Sequence, residues 1–515
     1  MKEVDSKAYN VFRSTLLGTI NNVLIVVLSF LSRKLFLQYI GLDYLSVAQV
    51  INNLLTIVAF SELGLSNAVL YMLYKPVAND DKKTILRILF LYRRFNRYIG
   101  LLILAVGLIV MPALPMFVKT SVPISTVFLI YLINLCLIVS TYFYTYRSIL
   151  LSVYQKDYII SAISSVISFM RVISQCLIIY ITHDYLCFLF LGVISTLIQN
   201  LLVYYKTGML YPFATCFRSV ENDLLLLNSD KKILKNNVFS MASVRIAAIV
   251  INNTDIVLIS WLNTLMVGLI ANYMSVSNCL KNLVTILQNA LIHSVGISIE
   301  ERGYEERYHL FRCVLLVNTF IGGIVFVYLG TVWNDIIELW IGKEYIIDID
   351  IVILLLLNVS WGFFIATIWM FRDAAGLFTK VRKMLLFNVI LNLLLSIVFG
   401  FYLGISGVFL GTIIADIFTD FWYDSKLVYN VLFNRSDYFD YIKHVINNVL
   451  ITALLTFILN EFFVMLGVSL LSLLIKSSLS ICIYMMAFYF IYRRKDEFVY
   501  LCNQLIKLKK RLKKG

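Results

Sequence analysis

The sequence predicts an all-α integral membrane protein with about 14 transmembrane helices, arranged as two pseudo-symmetric six-helix lobes plus two C-terminal helices. Three observations carry this prediction. Of the 515 residues, 60% are hydrophobic and only 14% charged, with a mean hydropathy of +0.86, a balance that a water-soluble domain of this length does not sustain. The apolar residues fall in repeated stretches of roughly 20, the length a helix needs to cross about 30 Å of hydrocarbon. The connections between them alternate, end to end, between Lys/Arg-rich and nearly Lys/Arg-free.

Window by window, the spans lie near 11–33, 42–62, 94–116, 123–145, 157–180, 185–205, 236–261, 265–291, 310–332, 349–371, 383–403, 407–426, 446–467 and 470–491. Short cytoplasmic loops carry an excess of Lys and Arg, and exported loops do not. The second connection holds Lys75, Lys82, Lys83, Arg87, Arg93 and Arg94, the fourth Arg147 and Lys156, and the sixth Lys206, Arg218, Lys231, Lys232 and Lys235. Further along come Arg302 and Arg307, then Arg372, Lys380, Arg382 and Lys383, then Arg435 and Lys443, and finally the tail from Arg493 to Lys514. The opposite set offers only Lys119, Lys343 and, at the tip of the first hairpin, Arg33 and Lys34. Both termini are therefore expected in the cytoplasm, which requires an even number of crossings.

The net charge of +14 is carried by these inside loops, where orientation and anionic lipid headgroups account for it. With no compact basic domain, no nucleic-acid partner is expected. The tail 493–515 sets Leu501, Leu505 and Leu508 among Lys507, Lys509, Lys510 and Arg511. That pattern suits either a basic amphipathic helix on the inner leaflet or a solvated charged tail. Eight cysteines are scattered without a CxxC, and His183, His293, His309 and His444 sit near span boundaries without ligand spacing, so neither a metal site nor a cofactor is implied. The N-terminus carries Lys2, Glu3, Asp5 and Lys7 without a small-residue cleavage site, and reads as leading into a retained first span.

Sliding the chain against itself by roughly 225 residues shows an internal echo. Asn10-Val11-Phe12 matches Asn237-Val238-Phe239, Ser46-Val47 with Asn53-Leu54 recurs as Ser275-Val276 with Asn282-Leu283, and Lys156 falls opposite Lys380. Six helices per copy is an even number, so the copies share one orientation about an axis along the membrane normal. The expected organisation is a first lobe over 1–205, a cytoplasmic linker over 206–235, a second lobe over 236–430, two extra helices over 431–492 and a basic tail over 493–515.

Ionisable side chains in a bilayer cost several kcal/mol and should face protein or a water-filled cavity. In the span 157–180, Ser164, Ser168, Arg171 and Gln175 share a face, because offsets of four and seven return to nearly the same angle. The span 236–261 offers Arg245 and Asn252, with Asn253 and Asp255 beside them, and 265–291 offers Asn278, Lys281, Asn282, Thr285, Gln288 and Asn289. Arg13, Asn21 and Asn22 occupy the first span. A single Asn or Ser can simply hydrogen-bond a neighbouring helix. Arg171, Arg245 and Lys281 are cations within apolar helices, and with Arg13 they suggest a cationic cavity that recognises an anionic headgroup, which Arg does through its planar fork. Glu62, Asp255 and Asp416 are the carboxylates available for coupling to an ion, or for local ion pairs.

Ile40-Gly41-Leu42-Asp43-Tyr44, leading to Phe60-Ser61-Glu62-Leu63-Gly64-Leu65-Ser66-Asn67-Ala68, resembles the first hairpin of bacterial polysaccharide-biosynthesis exporters. These are flippases of the MOP superfamily for O-antigen, capsule or exopolysaccharide repeat units. Gly376 through Lys380, Arg382, Asn388, Asn392 and Gly404-Ile405-Ser406-Gly407-Val408-Phe409-Leu410-Gly411-Thr412 are similar to that family's passage from helix 11 to helix 12. The family often has Gly where Leu45 stands and Asp where Glu62 stands, which weakens residue-by-residue transfer. The resemblance implies a MATE/MOP-like pair of lobes that moves undecaprenyl-pyrophosphate-linked oligosaccharide from the inner to the outer leaflet of the bacterial cytoplasmic membrane by alternating access. It further implies a cationic cavity served by Arg171, Arg245 and Lys281, membrane lipids as surroundings, a polysaccharide polymerase and chain-length regulator as partners, and Na+ or H+ coupling.

No P-loop for ATP is present. Two other functions fit the helix count. A lipid II flippase or multidrug/cation antiporter of the same superfamily would share the fold, with carboxylates favoured over Arg for cationic drugs. An integral-membrane glycan polymerase would need a long exported loop bearing catalytic residues, whereas every exported connection here is short.

Overall fold

The computed structural model describes residues 25–59, 65–215, 249–251, 253–301 and 303–512. Arg13, Asn21, Asn22, Glu62, Arg245, Asn252 and the linker beyond 215 lie outside the described residues. Among those described there is no strand, as expected where backbone polar groups in lipid must be satisfied within each segment.

The chain divides into two compact units, Met1–Gly268 and Leu269–Gly515. The first contains α1 (25–39), α2 (Leu42–Val58), α3 (Leu65–Ala78), α4 (Lys82–Val110), α5 (Ile124–Tyr144), α6 (Asp157–Thr182), α7 (Tyr185–Leu210) and α8 (Ile249–Leu262). Helix α9 (Thr264–Glu301) starts in the first unit and continues into the second. The second unit adds α10 (Tyr304–Trp340), α11 (Ile349–Ala374), the long element Phe378–Asp416, α14 (Tyr438–Phe463), α15 (Leu470–Tyr492) and α16 (Asp496–Leu512). Every predicted span coincides with a helix wherever its residues are described. Nine stretches are long and apolar enough to cross a membrane among the described residues. One of these, Lys380–Leu432, is 53 residues long.

That stretch is long enough for two crossings and is broken between them. Gly404 interrupts it at φ 64, ψ −140, a backbone conformation that side chains with a Cβ resist. On either side, Ser396 Oγ donates to the Val408 carbonyl at 3.2 Å, Asn392 Nδ2 to Thr412 Oγ1 at 2.9 Å and Asn388 Nδ2 to Asp416 Oδ1 at 3.3 Å. These partners pair antiparallel about the turn, so α12 (378–403) and α13 (405–432) form a hairpin. A Cβ on Gly407 would strike the Phe399 carbonyl, and one on Gly411 would lie 2.6 Å from the Ser396 nitrogen. Small residues that let helix backbones approach are how membrane helices associate without a hydrophobic driving force.

Helix α4 corrects the sequence reading. The span was expected to begin at 94, yet the helix starts at Lys82, so Lys82, Lys83, Arg87, Arg93 and Arg94 lie on a helix and not in a loop. Hydropathy averages hide the reason: Ile85, Leu86, Ile88, Leu89 and Tyr92 are buried on one face against Val69, Leu73 and Leu150, leaving the charges on the other. Asp81 caps this end, its carboxylate accepting from Thr84 N at 3.1 Å and Thr84 Oγ1 at 2.6 Å. The Thr84 hydrogen bonds hold the Asp81 carboxyl below its ordinary value. A depressed folded-state pKa stabilises above the unfolded value, near 3.9, and is lost as pH falls through the folded one. Asp81→Ala is thus expected to speed amide exchange in the first turn of α4 at neutral pH, with the difference from the native protein shrinking as pH falls through the folded-state pKa of Asp81, measured by hydrogen exchange. A difference that does not shrink would remove the cap from the account.

In the second unit α14 and α15 invert the pattern of a soluble protein. Helix α14 buries Asn448, Thr452 and Thr456 while Leu450, Leu454 and Phe457 are 60% exposed or more. Helix α15 buries Ser472, Lys476, Ser480, Tyr484 and Phe488 and exposes Leu470, Leu471 and Leu474. Polar groups turn inward because lipid satisfies none of them. Both helices are bonded to α10: Lys476 Nζ reaches Asp335 Oδ2 at 2.6 Å, Ser480 shares a hydrogen bond with Thr331 at 2.8 Å, and His444 Nε2 meets Thr319 Oγ1 at 3.1 Å. The tail, open as helix or coil in sequence, is helical as α16, where Glu497 is paired with Arg312 at 2.8 Å and Phe498 and Leu501 pack on Phe488 and its neighbours.

Candidate functional site

Within the first unit, α1, α2, α5, α6 and α7 enclose a cavity of about 390 Å³. Short connections bring these helices together. Gly41, at φ 97, turns α1 into α2. His183 adopts a left-handed φ of 54 at the end of α6, and Asp184 caps α7 by accepting from Leu186 N at 2.9 Å. The cavity residues of α2 and α7 lie in their first three turns, those of α6 in its second half, and those of α1 reach its last turn at Phe36. The cavity therefore reaches inward from the end of the bundle whose connections are poor in Lys and Arg.

Two of its lining residues are arginines, Arg33 and Arg171. Arg171 lies near the middle of the 26-residue α6, a helix about 39 Å long at 1.5 Å rise per residue. It is half-buried, and among the described residues it has neither a hydrogen-bond nor an ion-pair partner. A cation held at that depth without a protein partner is available to an anion. Gln175, one turn on, is buried and donates through Nε2 to the Phe188 carbonyl at 3.0 Å, which ties α6 to α7 and leaves its side chain along the cavity wall. Ser164, on the same face, accepts from Gln199 Nε2 at 3.0 Å and acts as inter-helix glue.

The remainder of the lining mixes amides with aromatic rings. Gln49, Asn52 and Asn134 contribute amides, and Asn134 donates to its own helix at Ile130 O, 2.9 Å away. Phe36 stands edge-on to Tyr185 at 5.8 Å and to Phe188 at 5.2 Å between ring centroids. Cations, amides and aromatic faces suit a ligand that combines negative charge with hydroxyls and apolar ring faces.

Sequence reasoning missed Arg33, Gln49, Asn52, Asn134 and the aromatic wall. It placed Arg33 at the tip of the first hairpin, but α1 runs on to 39 and carries Arg33 into the cavity. A signal was present, because Arg33 and Lys34 were an exception within a set of connections otherwise almost bare of cations. The other expected residues lie elsewhere. Lys281 is half-buried and Asn278 and Asn282 are exposed, all on the part of α9 that belongs to the second unit, and none lines the first unit's cavity. Asp255, in α8, is buried.

Asp416 in α13 accepts from Asn388 and heads a carboxylate series at helical spacing, Asp416, Asp420 and Asp424, along a π-helical segment, Ile417–Asp424. Asp424 is paired with Arg372 Nη1 at 2.5 Å, and Arg372 Nε also binds Asp373 at 2.8 Å. The arginine of this region is thus bound by carboxylates, whereas Arg171 is not.

No family model matches the chain, and no curated protein sequence matches it. Solved structures do. The inward closed conformation of the lipid II flippase MurJ aligns over 93% of this chain and 100% of its own, with TM-score 0.67 and 17% identity. A mutant of the Vibrio cholerae MATE transporter VcmN aligns over 85% of this chain and 100% of its own, with TM-score 0.55 and 14% identity. An inward-facing multidrug resistance MATE family transporter of the MOP superfamily aligns over 80% and 98%, with TM-score 0.57 and 13% identity. The fold is the one these membrane transporters share. With the apolar helices, it makes the chain a multi-pass membrane protein, all-α as the sequence predicts.

Proposed function

We propose that this protein is a flippase that translocates undecaprenyl-pyrophosphate-linked oligosaccharide repeat units across the bacterial cytoplasmic membrane by alternating access, for surface polysaccharide biosynthesis. The observation that carries the reading is Arg171: a half-buried cation, midway along a membrane helix, without a protein partner among the described residues, in a cavity that also holds Arg33 and four amides. A pyrophosphate supplies the missing anion, the amides and aromatic faces suit a sugar, and the polyprenyl tail stays in lipid. Arg245, Lys281 and Arg13 are proposed as further cations of the translocation path. Asp416 is the proposed coupling carboxylate, with Na+ or H+ as the ion. Lipid II or a cationic drug is the competing substrate class, since MurJ and MATE transporters share the fold. An arginine-lined cavity supports the anionic substrate over a cation.

Transport of fluorescently labelled lipid-linked oligosaccharide into the outer leaflet of proteoliposomes tests the function directly. Movement of lipid II or of a drug cation in place of the oligosaccharide would overturn it. The orientation is tested by single cysteines in a cysteine-free background. Lys119→Cys and Lys343→Cys are expected to label from outside the cell, and Lys82→Cys and Lys380→Cys only after permeabilisation. The reverse pattern would overturn the placement of both termini in the cytoplasm.

A further inference from the structure

The second unit holds a separate pocket of about 580 Å³ where the first turns of α10 and α14 and the end of α15 meet the first turn of α16. We propose that this pocket binds a hydroxylated phosphodiester monoanion, the headgroup chemistry of an anionic phospholipid such as phosphatidylglycerol. The inference requires only that the chain lies in a membrane, and so stands apart from the transport reading.

Four cations line the pocket, Arg312, Lys443, Arg494 and Lys495, with three carboxylates, Asp440, Asp496 and Glu497. Arg312 and Glu497 neutralise each other at 2.8 Å, with Glu497 only 7% exposed. The other three cations are in no ion pair among the described residues. Three cations facing two carboxylates leave an excess of one positive charge. A phosphodiester, singly charged at neutral pH, balances it, whereas a phosphomonoester carries close to two negative charges. The carboxylates Asp440 and Asp496 then have a use as acceptors for headgroup hydroxyls, because an ionised carboxylate accepts and never donates.

The cations Arg494 and Lys495 lie two and three residues beyond Tyr492, where α15 ends, at the Lys/Arg-rich end of the helices where anionic headgroups gather. Ile451 and Ile491 line the pocket's side, and the outward face of α14 continues away from it through Leu450, Leu454 and Phe457, each at least 60% exposed. A headgroup in the pocket can therefore lay its acyl chains on apolar helix surface. The pocket floor is closed by neutral bonds, with Asn448 and Tyr492 exchanging hydrogen bonds at 2.7 and 2.9 Å, so no further buried charge competes for the ligand.

The test is native mass spectrometry of the full-length protein in non-ionic detergent, titrated with phosphatidylglycerol and with zwitterionic phosphatidylethanolamine. One phosphatidylglycerol is expected to bind at least tenfold tighter than phosphatidylethanolamine. Joint substitution Lys443→Gln and Arg494→Gln is expected to remove that preference, and Lys443→Arg with Arg494→Lys to retain it. The pair Lys380→Gln and Lys383→Gln, which removes the same charge from exposed positions outside the pocket, is expected to leave the preference intact. Soluble glycerophosphoglycerol separates the two sources: displacement of bound lipid assigns the pocket to a free phosphodiester, and failure to displace assigns it to the lipid. Equal affinity for the two phospholipids, or equal loss in the Lys380/Lys383 control, would overturn the proposal.

Discussion

Arg171→Ala is expected to lower oligosaccharide translocation about ten- to a hundredfold while leaving protein abundance and melting temperature unchanged. The size follows from the interaction removed, since a hydrogen bond to a charged group contributes about 1.5–3 kcal/mol and each 1.4 kcal/mol is a factor of ten. The unchanged stability follows from the structure, because among the described residues Arg171 bonds no other side chain or backbone group, so truncation orphans nothing. Arg171→Lys keeps the charge but loses the planar fork and is expected to restore transport partly. Arg33→Ala is expected to act in the same direction through the same cavity. Cell-surface glycan in a deletion strain complemented with each variant, read against membrane protein level, gives the measurement. Full glycan with Ala at both positions would remove the cavity from the mechanism.

Gly407→Val is expected to prevent stable folding. A Cβ at this position meets the Phe399 carbonyl and the Gly400 nitrogen across the α12–α13 hairpin. Those are backbone atoms, which cannot rotate aside as a side chain would. Relief requires the two helices to separate, and that would stretch the Ser396–Val408, Asn392–Thr412 and Asn388–Asp416 bonds together. Overpacking alone costs about 1–3 kcal/mol, and the lost inter-helix bonds place this substitution at or above the upper end. Leu403→Ala, at a 54% exposed position beside the same turn, is the matched control and should be tolerated. Fluorescence-detected size exclusion after mild detergent extraction reads the outcome. A monodisperse Gly407→Val protein with an unchanged melting temperature would show that the hairpin backbones do not need their close approach.

Much of the fold was legible because bilayer physics writes in long runs. The alternation of basic and bare connections and the 20-residue apolar stretches located the long apolar helices that the structure describes, including both arms of the hairpin at Gly404, but not the short α3, whose residues 65–78 fell in an expected connection. The motif Gly404 through Thr412, noticed as a resemblance, takes on a physical meaning: its glycines permit the close approach, and Asn388, Asn392 and Thr412 staple it. Helix ends were less legible. Hydropathy windows opened α4 twelve residues late because its amphipathic first turns average to polar. The site was legible only in part. Arg171 and Gln175 stood out as polar interruptions of one helical face, but Gln49, Asn52, Asn134 and the aromatic wall carry no individual mark in a sequence full of such residues.

By itself the sequence determined that the chain crosses a membrane many times as helices, and which of its ends and loops carry the positive charge, because lipid imposes length and polarity on every crossing independently of its neighbours. Which of the intramembrane cations share a cavity was decided only by tertiary structure. A helix face shows direction but not what stands opposite. The packing of α1 beside α6 brought Arg33 to Arg171's cavity, while Arg372 was drawn into carboxylate pairs and Lys281 fell in the other unit.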